Sequence, residues 1–383
     1  MAKNIIICCD GTSNEYSHNN TNVVKLYERI VLNEKQLNFY DPGVGTSSRS
    51  LFVPFRWLSN MLSQGLGLDL NKNVEEAYQY LMDNYEEGDK IFLFGFSRGA
   101  HTVRRLACVL EKLGILYKGS DNMIPYVIRM YNKDEDLEII KKFRHTYTKK
   151  CPVHFMGVWD TVSALTKLIP RSKLDGKSSK EITHIYHAVA IDEKRLQFPP
   201  NLFDQNDIGT NQTLEEVWFA GVHSDVGGYY KDARLSDISL KWMLEKARNV
   251  GLEVGPDYLS DIQANPKGKI HNSWKCLFWF TPWHIYVVLL MAGLLLIDVS
   301  LSHLDLYWNI PWRPFSFTTD LLKENWIGSL VIAFCAIYFT KKIRNIPSGA
   351  KIHKSVQEKI NNDNYNPKNL THLIKENKIQ WAE

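Results

Sequence analysis

Short apolar runs of the strand type alternate with helical patterns from the first residues of the chain to about residue 255. The first run, over residues 4–9, is almost wholly apolar, which is typical of a strand buried on both faces of a sheet. The same pattern predicts strands at 37–40, 90–94, 153–159 and 217–222. Because the strands alternate with helices, we expect an α/β fold with a mostly parallel sheet flanked by helices.

Apolar positions that recur every three to four residues predict the helices between these strands. Thr21 is placed to cap the first helix, whose apolar face runs from Val23 to Val31. A second amphipathic helix covers residues 74–85, and a third runs from residue 99 to about 113. Each of these helices has one apolar side with which to cover the sheet.

The pattern changes near residue 270, where two long apolar stretches follow at about 277–298 and 326–340. Residues 277–297 carry no charged side chain, and a helix of this length crosses the ~30 Å hydrocarbon layer of a bilayer. The second stretch is shorter and crosses only with local thinning of the bilayer. We therefore predict a transmembrane hairpin; the alternative is a helical hairpin packed on the first domain of a soluble protein.

Basic side chains lie at both outer ends of this hairpin, whereas the connection between its helices has four acidic against two basic side chains. The positive-inside rule then predicts that both termini face the cytoplasm. The basic residues are Lys267, Lys269, Lys275, Lys341, Lys342 and Arg344.

Composition supports two environments within one chain. The averages (44% hydrophobic, 23% charged, net charge +4) are those of a globular protein and exclude disorder, collagen and a disulfide-stapled scaffold. The mean hydropathy of −0.27 hides the apolar hairpin because the polar first domain dominates the average. More than half of the 11 tryptophans lie in or beside the hairpin, as expected at a membrane interface. They are Trp274, Trp279, Trp283, Trp308, Trp312 and Trp326.

Charge and cysteine spacing narrow the classes of partner. No run of Lys and Arg forms a stripe, so we expect no nucleic acid, whereas a phospholipid membrane fits the mild basic excess. The six cysteines show no zinc spacing and no disulfide framework, so we expect reduced thiols, no metal and no cofactor. The apolar run at residues 5–9 is too short for the core of a signal peptide.

The segment Gly95-Phe96-Ser97-Arg98-Gly99 has the form G-x-S-x-G and joins a predicted strand to a predicted helix. A nucleophile elbow requires this context, since the serine takes a strained conformation and glycines allow the flanking chains to approach. Ser97 is the candidate nucleophile, and the N–H of Arg98 at the helix N-terminus is a candidate oxyanion donor. The alternative is a Gly-Ser turn that merely precedes a helix.

A serine nucleophile needs a histidine base and an acid that orients the base. His223 and Asp160 each follow a predicted strand, and catalytic groups of α/β sheets lie at the carboxyl ends of strands. Ser97, Asp160 and His223 also follow the chain order of α/β-hydrolases. Asp225 is the competing acid.

Other polar residues leave further alternatives open. His101 is expected to pack on the helix after the elbow, and His187 and Asp192 fall in a predicted helix-to-loop segment. A metal site built from Asp10, His223 and Asp225 has no diagnostic spacing.

The loop Asp10-Gly11-Thr12 follows the first strand, where hydrolases place a second oxyanion donor. The N–H of Gly11 or of Thr12 is the candidate, while the Asp10 carboxylate could instead cap the turn.

Six blocks in this order resemble the α/β-hydrolase domain of type VI secretion phospholipase effectors, the Tle1-like catalytic family, formerly a domain of unknown function. The resemblance covers about residues 1–250 and implies a serine phospholipase or lipase with Ser97 as nucleophile, Asp160 as acid and His223 as base. Tyr229 stands where family members commonly have a third glycine. The blocks are ICCDGTSNE with TNVVKLYE, GFSRGAHTVRRL, GVWDTV, HAVAIDEKRLQFPP and VWFAGVHSDVGGYY.

We therefore expect a catalytic domain at 1–265, a membrane hairpin at 266–345 and a polar tail at 346–383. The predicted function is phospholipase A-type cleavage of glycerophospholipids by a toxic or defence effector. We expect it in the bacterial inner membrane with its catalytic domain in the cytoplasm, together with a regulatory, immunity or assembly partner. The alternatives are a carboxylesterase or thioesterase on soluble esters, and a membrane-perturbing or pore-forming protein that uses the hydrolase fold as a scaffold.

Overall fold

Eight parallel strands form one sheet in the computed structural model, which describes residues 2–11, 19–43, 68–133, 135–162, 180–195, 198–273 and 342–383. The strands in chain order are β1 Asn4–Cys9, β2 Gln36–Asp41, β3 Lys90–Phe96, β4 Ile115–Leu116, β5 Thr148–Lys149, β6 Val153–Trp159, β7 Ile182–Ala190, β8 Thr213–Phe219, β9 Ala350–His353 and β10 Ile379–Ala382. The order across the sheet is β10-β9-β8-β7-β6-β3-β1-β2, and β4 pairs with β5 in a separate antiparallel ribbon.

Helices cover both faces of the sheet, so the predicted α/β architecture is confirmed. They are α1 Asn22–Tyr27, α2 Leu68–Asn84, α3 Arg98–Leu113, α4 Ile124–Lys133, α5 Leu137–Tyr147, α6 His223–Gly227, α7 Arg234–Asn249, α8 Lys354–Asp363 and α9 Lys368–Lys375. In β1, Ile5 and Ile7 share a core cluster with residues of α2 to α5, whereas Ile6 and Cys8 pack with α1 and α7. The run at the start of the chain is therefore apolar because both of its faces are buried.

The register of the central strands brings their carboxyl ends to one edge of the sheet. Phe96 of β3 pairs with Trp159 of β6, and Trp159 pairs with Ala188 of β7. Ala190 of β7 pairs with Phe219 of β8. The residues that directly follow β3, β6 and β8 consequently leave the sheet at the same edge.

Strand β7 differs from the prediction of a helix-to-loop segment around residues 187 and 192. Residues 182–190 form a central strand, and Asp192 follows it. The prediction is wrong here because polar and aromatic side chains interrupt the apolar run. A run this short does not show whether apolar residues recur with the period of a strand or of a helix.

The C-terminal segment belongs to the fold of the first domain. Ile343–Glu383 forms one compact unit with Met1–His271, and β9 extends the sheet from β8 through the pair Trp218 and Ile352. The residues predicted as a polar tail thus supply two strands and two helices. Their apolar pattern is weak because each element is short and buries few apolar side chains.

The second compact unit is Asn272–Lys342, nearly all of which lies outside the described residues. The predicted apolar helices at 277–298 and 326–340 lie there as well. In the part of the chain that the structure describes, no helix combines the length and the apolar character needed to cross a membrane.

Candidate active site

Ser97 occupies a sharp turn between β3 and α3, with φ of 58° and ψ of −116°. This positive φ is strained for a residue with a side chain. A Cβ on Gly95 would lie 2.6 Å from the Ala100 nitrogen, and one on Gly99 would lie 2.1 Å from the Cys9 oxygen. The turn therefore has the geometry of a nucleophile elbow, with glycine where the backbones meet.

Asp160 directly follows β6 and is fully buried, with a φ of 38°. Its N–H donates to the Ala188 carbonyl at 2.7 Å, and its Oδ1 accepts the Ala190 N–H at 2.9 Å. Its Oδ2 lies 2.6 Å from His223 Nδ1. The structure thus brings together the acid and the base that the sequence predicts.

His223 begins α6, and two aromatic rings enclose its imidazole. The centroid of Phe96, the residue before Ser97, lies 4.6 Å from the imidazole centroid, and that of Phe198 lies 5.0 Å away with its ring nearly perpendicular. A Cβ on Gly227 would lie 2.0 Å from the Phe96 ring, so glycine is needed for this packing. Phe96 therefore brings the base to the elbow.

The protonation state of His223 follows from its surroundings. Burial lowers the pKa of His223, while the hydrogen bond and the charge of Asp160 counteract part of that effect. Because Nδ1 faces the carboxylate, a neutral imidazole carries its proton there and leaves Nε2 as an acceptor. A neutral histidine of this tautomer can take a proton from a serine hydroxyl.

Arg344 forms a bidentate ion pair with Asp160 that the sequence analysis does not anticipate. Its Nη1 donates to Asp160 Oδ1 at 2.6 Å and its Nη2 to Oδ2 at 2.9 Å. Burial raises the pKa of Asp160, but the charge of Arg344 and the hydrogen bond with His223 outweigh burial and hold that pKa well below its usual range. In the sequence, Arg344 stands in the basic flank of the predicted hairpin, and no motif marks its contact with Asp160.

Glu193 is a second buried acid beside His223, and it is not among the residues predicted from the sequence. Its Oε2 accepts the backbone N–H of His223 at 3.2 Å, and Arg195 binds both of its carboxylate oxygens. Burial raises the pKa of Glu193, but the hydrogen bonds and charge of Arg195 lower it to about 2. The Arg195 guanidinium also stacks 3.7 Å from the centroid of Phe198. Glu193 and Arg195 both lie in the HAVAIDEKRLQFPP block, and this block is the feature of the sequence that could have marked them as part of the site.

Asp225, the competing acid, serves a different histidine. Its Oδ1 lies 2.6 Å from His271 Nδ1, and its Oδ2 accepts the N–H groups of Val222 and His271. These contacts hold the first turn of α6, so Asp225 supports the backbone of His223 rather than its imidazole. Burial raises the pKa of Asp225.

The remaining candidates also have other partners. His187 binds Glu216 through Nδ1 at 2.8 Å, and Asp192 accepts from Gly221 N–H and Tyr365 Oη. His101 is buried in α3, where desolvation lowers its pKa to about 3.

Asp10 caps the turn after β1. The Gly11 N–H donates to Asp10 Oδ1 at 2.6 Å, and the hydroxyls of Thr21 and Tyr40 donate to Oδ2. The Gly11 N–H is thus directed to a carboxylate, and Thr12 lies outside the described residues. Arg98 begins α3, so its N–H lies at the positive end of that helix.

Metal coordination finds no support at these positions. Within the described ranges, no group of three or more His, Cys, Asp or Glu side chains is arranged to hold a metal ion. The three residues of the metal alternative, Asp10, His223 and Asp225, bind different hydrogen-bonding partners instead.

Most of the first domain matches a known protein family. Residues 3–246 match the family model described as "T6SS, Phospholipase effector Tle1-like, catalytic domain". An uncharacterized protein of Saccharomyces cerevisiae, YEL023C, is 32% identical over 217 residues, which are 51% of this chain and 32% of the relative. The match thus spans about a third of that relative's length.

Two solved structures match parts of the chain at low identity and low TM-score. An uncharacterized protein from Pseudomonas aeruginosa matches with a TM-score of 0.42 and 18% identity, over 69% of this chain and 49% of the other. The Tle1 effector bound to the VgrG spike of the type 6 secretion system matches with a TM-score of 0.32 and 20% identity, over 60% and 51%.

Proposed function

The chain belongs to the family of Tle1-like catalytic domains of T6SS phospholipase effectors, and on this premise we propose that it is a serine hydrolase that cleaves acyl esters of glycerophospholipids. The observation that carries the proposal is the 2.6 Å contact between Asp160 and His223 beside the strained Ser97 elbow. The family description supports a phospholipid substrate, and the geometry supports acyl transfer through serine.

In the proposed reaction, Ser97 Oγ attacks the ester carbonyl while His223 Nε2 takes its proton. Asp160 stabilises the imidazolium that forms, and His223 then protonates the leaving lysophospholipid alkoxide. Water activated by His223 next attacks the acyl-serine and releases the fatty acid. The chemistry needs no cofactor.

The oxyanion of the tetrahedral intermediate needs backbone donors. We assign one to the N–H of Arg98, at the positive end of α3. Because the Gly11 N–H donates to Asp10, we assign the second oxyanion donor to the N–H of Thr12.

We also propose that the hairpin at 277–298 and 326–340 anchors the enzyme in the bacterial inner membrane, with the catalytic domain and both termini in the cytoplasm. The support lies in the sequence: residues 277–297 carry no charged side chain, and basic side chains flank both outer ends of the hairpin. A hairpin in the bilayer would keep the enzyme at the membrane that contains its insoluble substrate.

The biological setting that we propose is that of a toxic or defence effector. An enzyme that degrades membranes would harm its own host, so we expect a regulatory, immunity or assembly partner. The Tle1 effector of the solved structure is bound to a VgrG spike, and for this chain a spike of that kind is part of the proposed setting.

Mass spectrometry of cellular lipids after induction tests the function. We expect lysophospholipid and free fatty acid with the wild type and neither with Ser97→Ala, while Ser260→Ala, a change at an exposed serine, behaves as wild type. Lysophospholipid production by Ser97→Ala would refute the mechanism. Cleavage of short soluble esters without lipid change would favour a carboxylesterase, and vesicle leakage by Ser97→Ala would favour a pore-forming protein.

A further inference from the structure

Arg344 and Asp160 form an ion pair that is almost completely buried inside the protein. The side chains of Arg344 and Asp160 are 3% and 0% exposed, and the two hydrogen bonds between them are parallel and bidentate. A fork of this kind fixes a carboxylate in rotation as well as in position. The orientation of Asp160 is therefore set by Arg344 as well as by the imidazole.

The backbone around Arg344 holds the guanidinium in place. Nη1 also donates to the Ala190 carbonyl at 2.7 Å and Nη2 to the Phe198 carbonyl at 2.9 Å. The Arg344 carbonyl accepts from Asn369 of α9, and Ile346 is buried in the cluster that contains β9. The segment 342–383 thus carries Arg344 to Asp160, although the segment lies beyond the matched family domain at residues 3–246.

We infer that Arg344 is a positioning residue of the active site: it holds the Asp160 carboxylate in the orientation that His223 requires. The segment 342–383 thereby completes a catalytic centre whose other members lie in the first domain. This inference rests on the proposed function. It adds a residue to the machinery that neither the family match nor the sequence motifs indicate.

The charge of Arg344 has a consequence for the base. Asp160 and Arg344 together are neutral, so protonation of His223 gains less from Asp160 than it would from an uncompensated carboxylate. Among the described residues, the other charged groups near His223 include Glu193 and Arg195 after β7, and Asp225 on its own helix, which binds His271. Removing only the Arg344 charge should therefore raise the pKa of His223.

The test compares Arg344→Gln, Arg344→Lys and Lys359→Met in the full chain, by the pH profile of kcat/KM on a soluble short-chain ester. We expect Arg344→Gln to lower kcat/KM about a hundredfold at neutral pH and to move its acid limb about one unit higher. Arg344→Lys keeps the charge without the fork, so we expect a lower rate with an unmoved acid limb.

Lys359→Met is the matched control. Lys359 is another buried cation of the same segment, and it binds the carbonyls of Pro266 and Gly268 instead of a catalytic group. If Arg344 only held the segment in place, Arg344→Gln would behave like Lys359→Met, with an unmoved acid limb. That result, or a wild-type rate for Arg344→Lys, would overturn the inference.

An NMR titration of isotope-labelled histidine in the Ser97→Ala background separates this inference from the proposed function. We expect the His223 resonance, assigned with His223→Gln, to titrate at higher pH when Arg344→Gln is added. This readout needs no turnover, so it tests Arg344 even if Ser97→Ala shows that the ester is cleaved by another route. An unshifted titration would count against Arg344.

Discussion

Gly99 packs directly against the carbonyl of Cys9, so closely that a Cβ would lie 2.1 Å from the oxygen. The contact joins the first turn of α3 to the end of β1, two elements that are ninety residues apart in the chain. It is backbone against backbone, and no side-chain rotation can relieve an added methyl group. The position of the elbow relative to the Asp10-Gly11 loop thus depends on a missing side chain.

We expect Gly99→Ala to destabilise the protein by about 3 kcal/mol or more, because strand β1 or helix α3 must shift to admit the methyl group. The free energy of unfolding in urea measures this change. Gly255→Ala is the control, since nothing lies within 4 Å of a Cβ there and its φ is not positive. Equal stability of the two variants would contradict the close packing.

Asp160→Asn should lower kcat about ten-thousandfold, because an amide neither stabilises the imidazolium nor holds the correct tautomer of His223. It also leaves the buried Arg344 guanidinium without its counter-ion. Ester hydrolysis at saturating substrate measures the effect. Asp225→Asn, which removes the charge paired with His271, is expected to cost much less. A larger loss from Asp225→Asn than from Asp160→Asn would make Asp225 the orienting acid.

Ionised Glu193 should contribute to the free energy of unfolding, and this contribution should disappear in acid. Its folded pKa of about 2 lies below the ordinary value of 4.5, so the ionised form stabilises the fold above pH 4.5. This stabilisation is lost as the pH falls from 4.5 towards 2, and it amounts to at most about 3 kcal/mol. Glu193→Gln should flatten that part of the curve in urea unfolding between pH 6 and 3.

Glu376→Gln is the comparison for this experiment. Glu376 pairs with Lys378 at the surface, where water screens the charges, so its removal should leave the slope with pH unchanged. A curve for Glu193→Gln that runs parallel to the wild type would show that the buried pair with Arg195 makes no such contribution.

The strands that the pattern predicts well are those in which nearly every residue is apolar, as in β1 and β3. Strand β7 is equally central, yet its Thr, His and Tyr residues break the apolar run, and the shared burial appears only once its neighbours are in place. Strands β9 and β10 have four residues each, too few for any period to emerge. Local pattern therefore predicts β1, β2, β3, β6 and β8, but it predicts neither the central strand β7 nor the edge formed by β9 and β10.

The same division holds for the candidate site. Ser97 and Asp160 directly follow β3 and β6, and His223 lies four residues beyond the end of β8, so their position at one sheet edge can be argued from topology alone. Arg344 reaches Asp160 across 184 residues, and such a pairing leaves no spacing in the sequence. Its position next to Lys341 and Lys342 suggested a membrane-flanking charge instead. Ion pairs of this range depend on tertiary packing that no short window contains.

That separation of 184 residues also sets an order of events during synthesis. At about 5–20 residues per second, a ribosome needs roughly ten to forty seconds to proceed from Asp160 to Arg344. Throughout that interval the nascent chain already contains Ser97 and Asp160 but lacks the cation that neutralises the buried carboxylate. The ion pair, and with it the addition of β9 to the sheet, can form only after Arg344 and the segment that follows it have been translated.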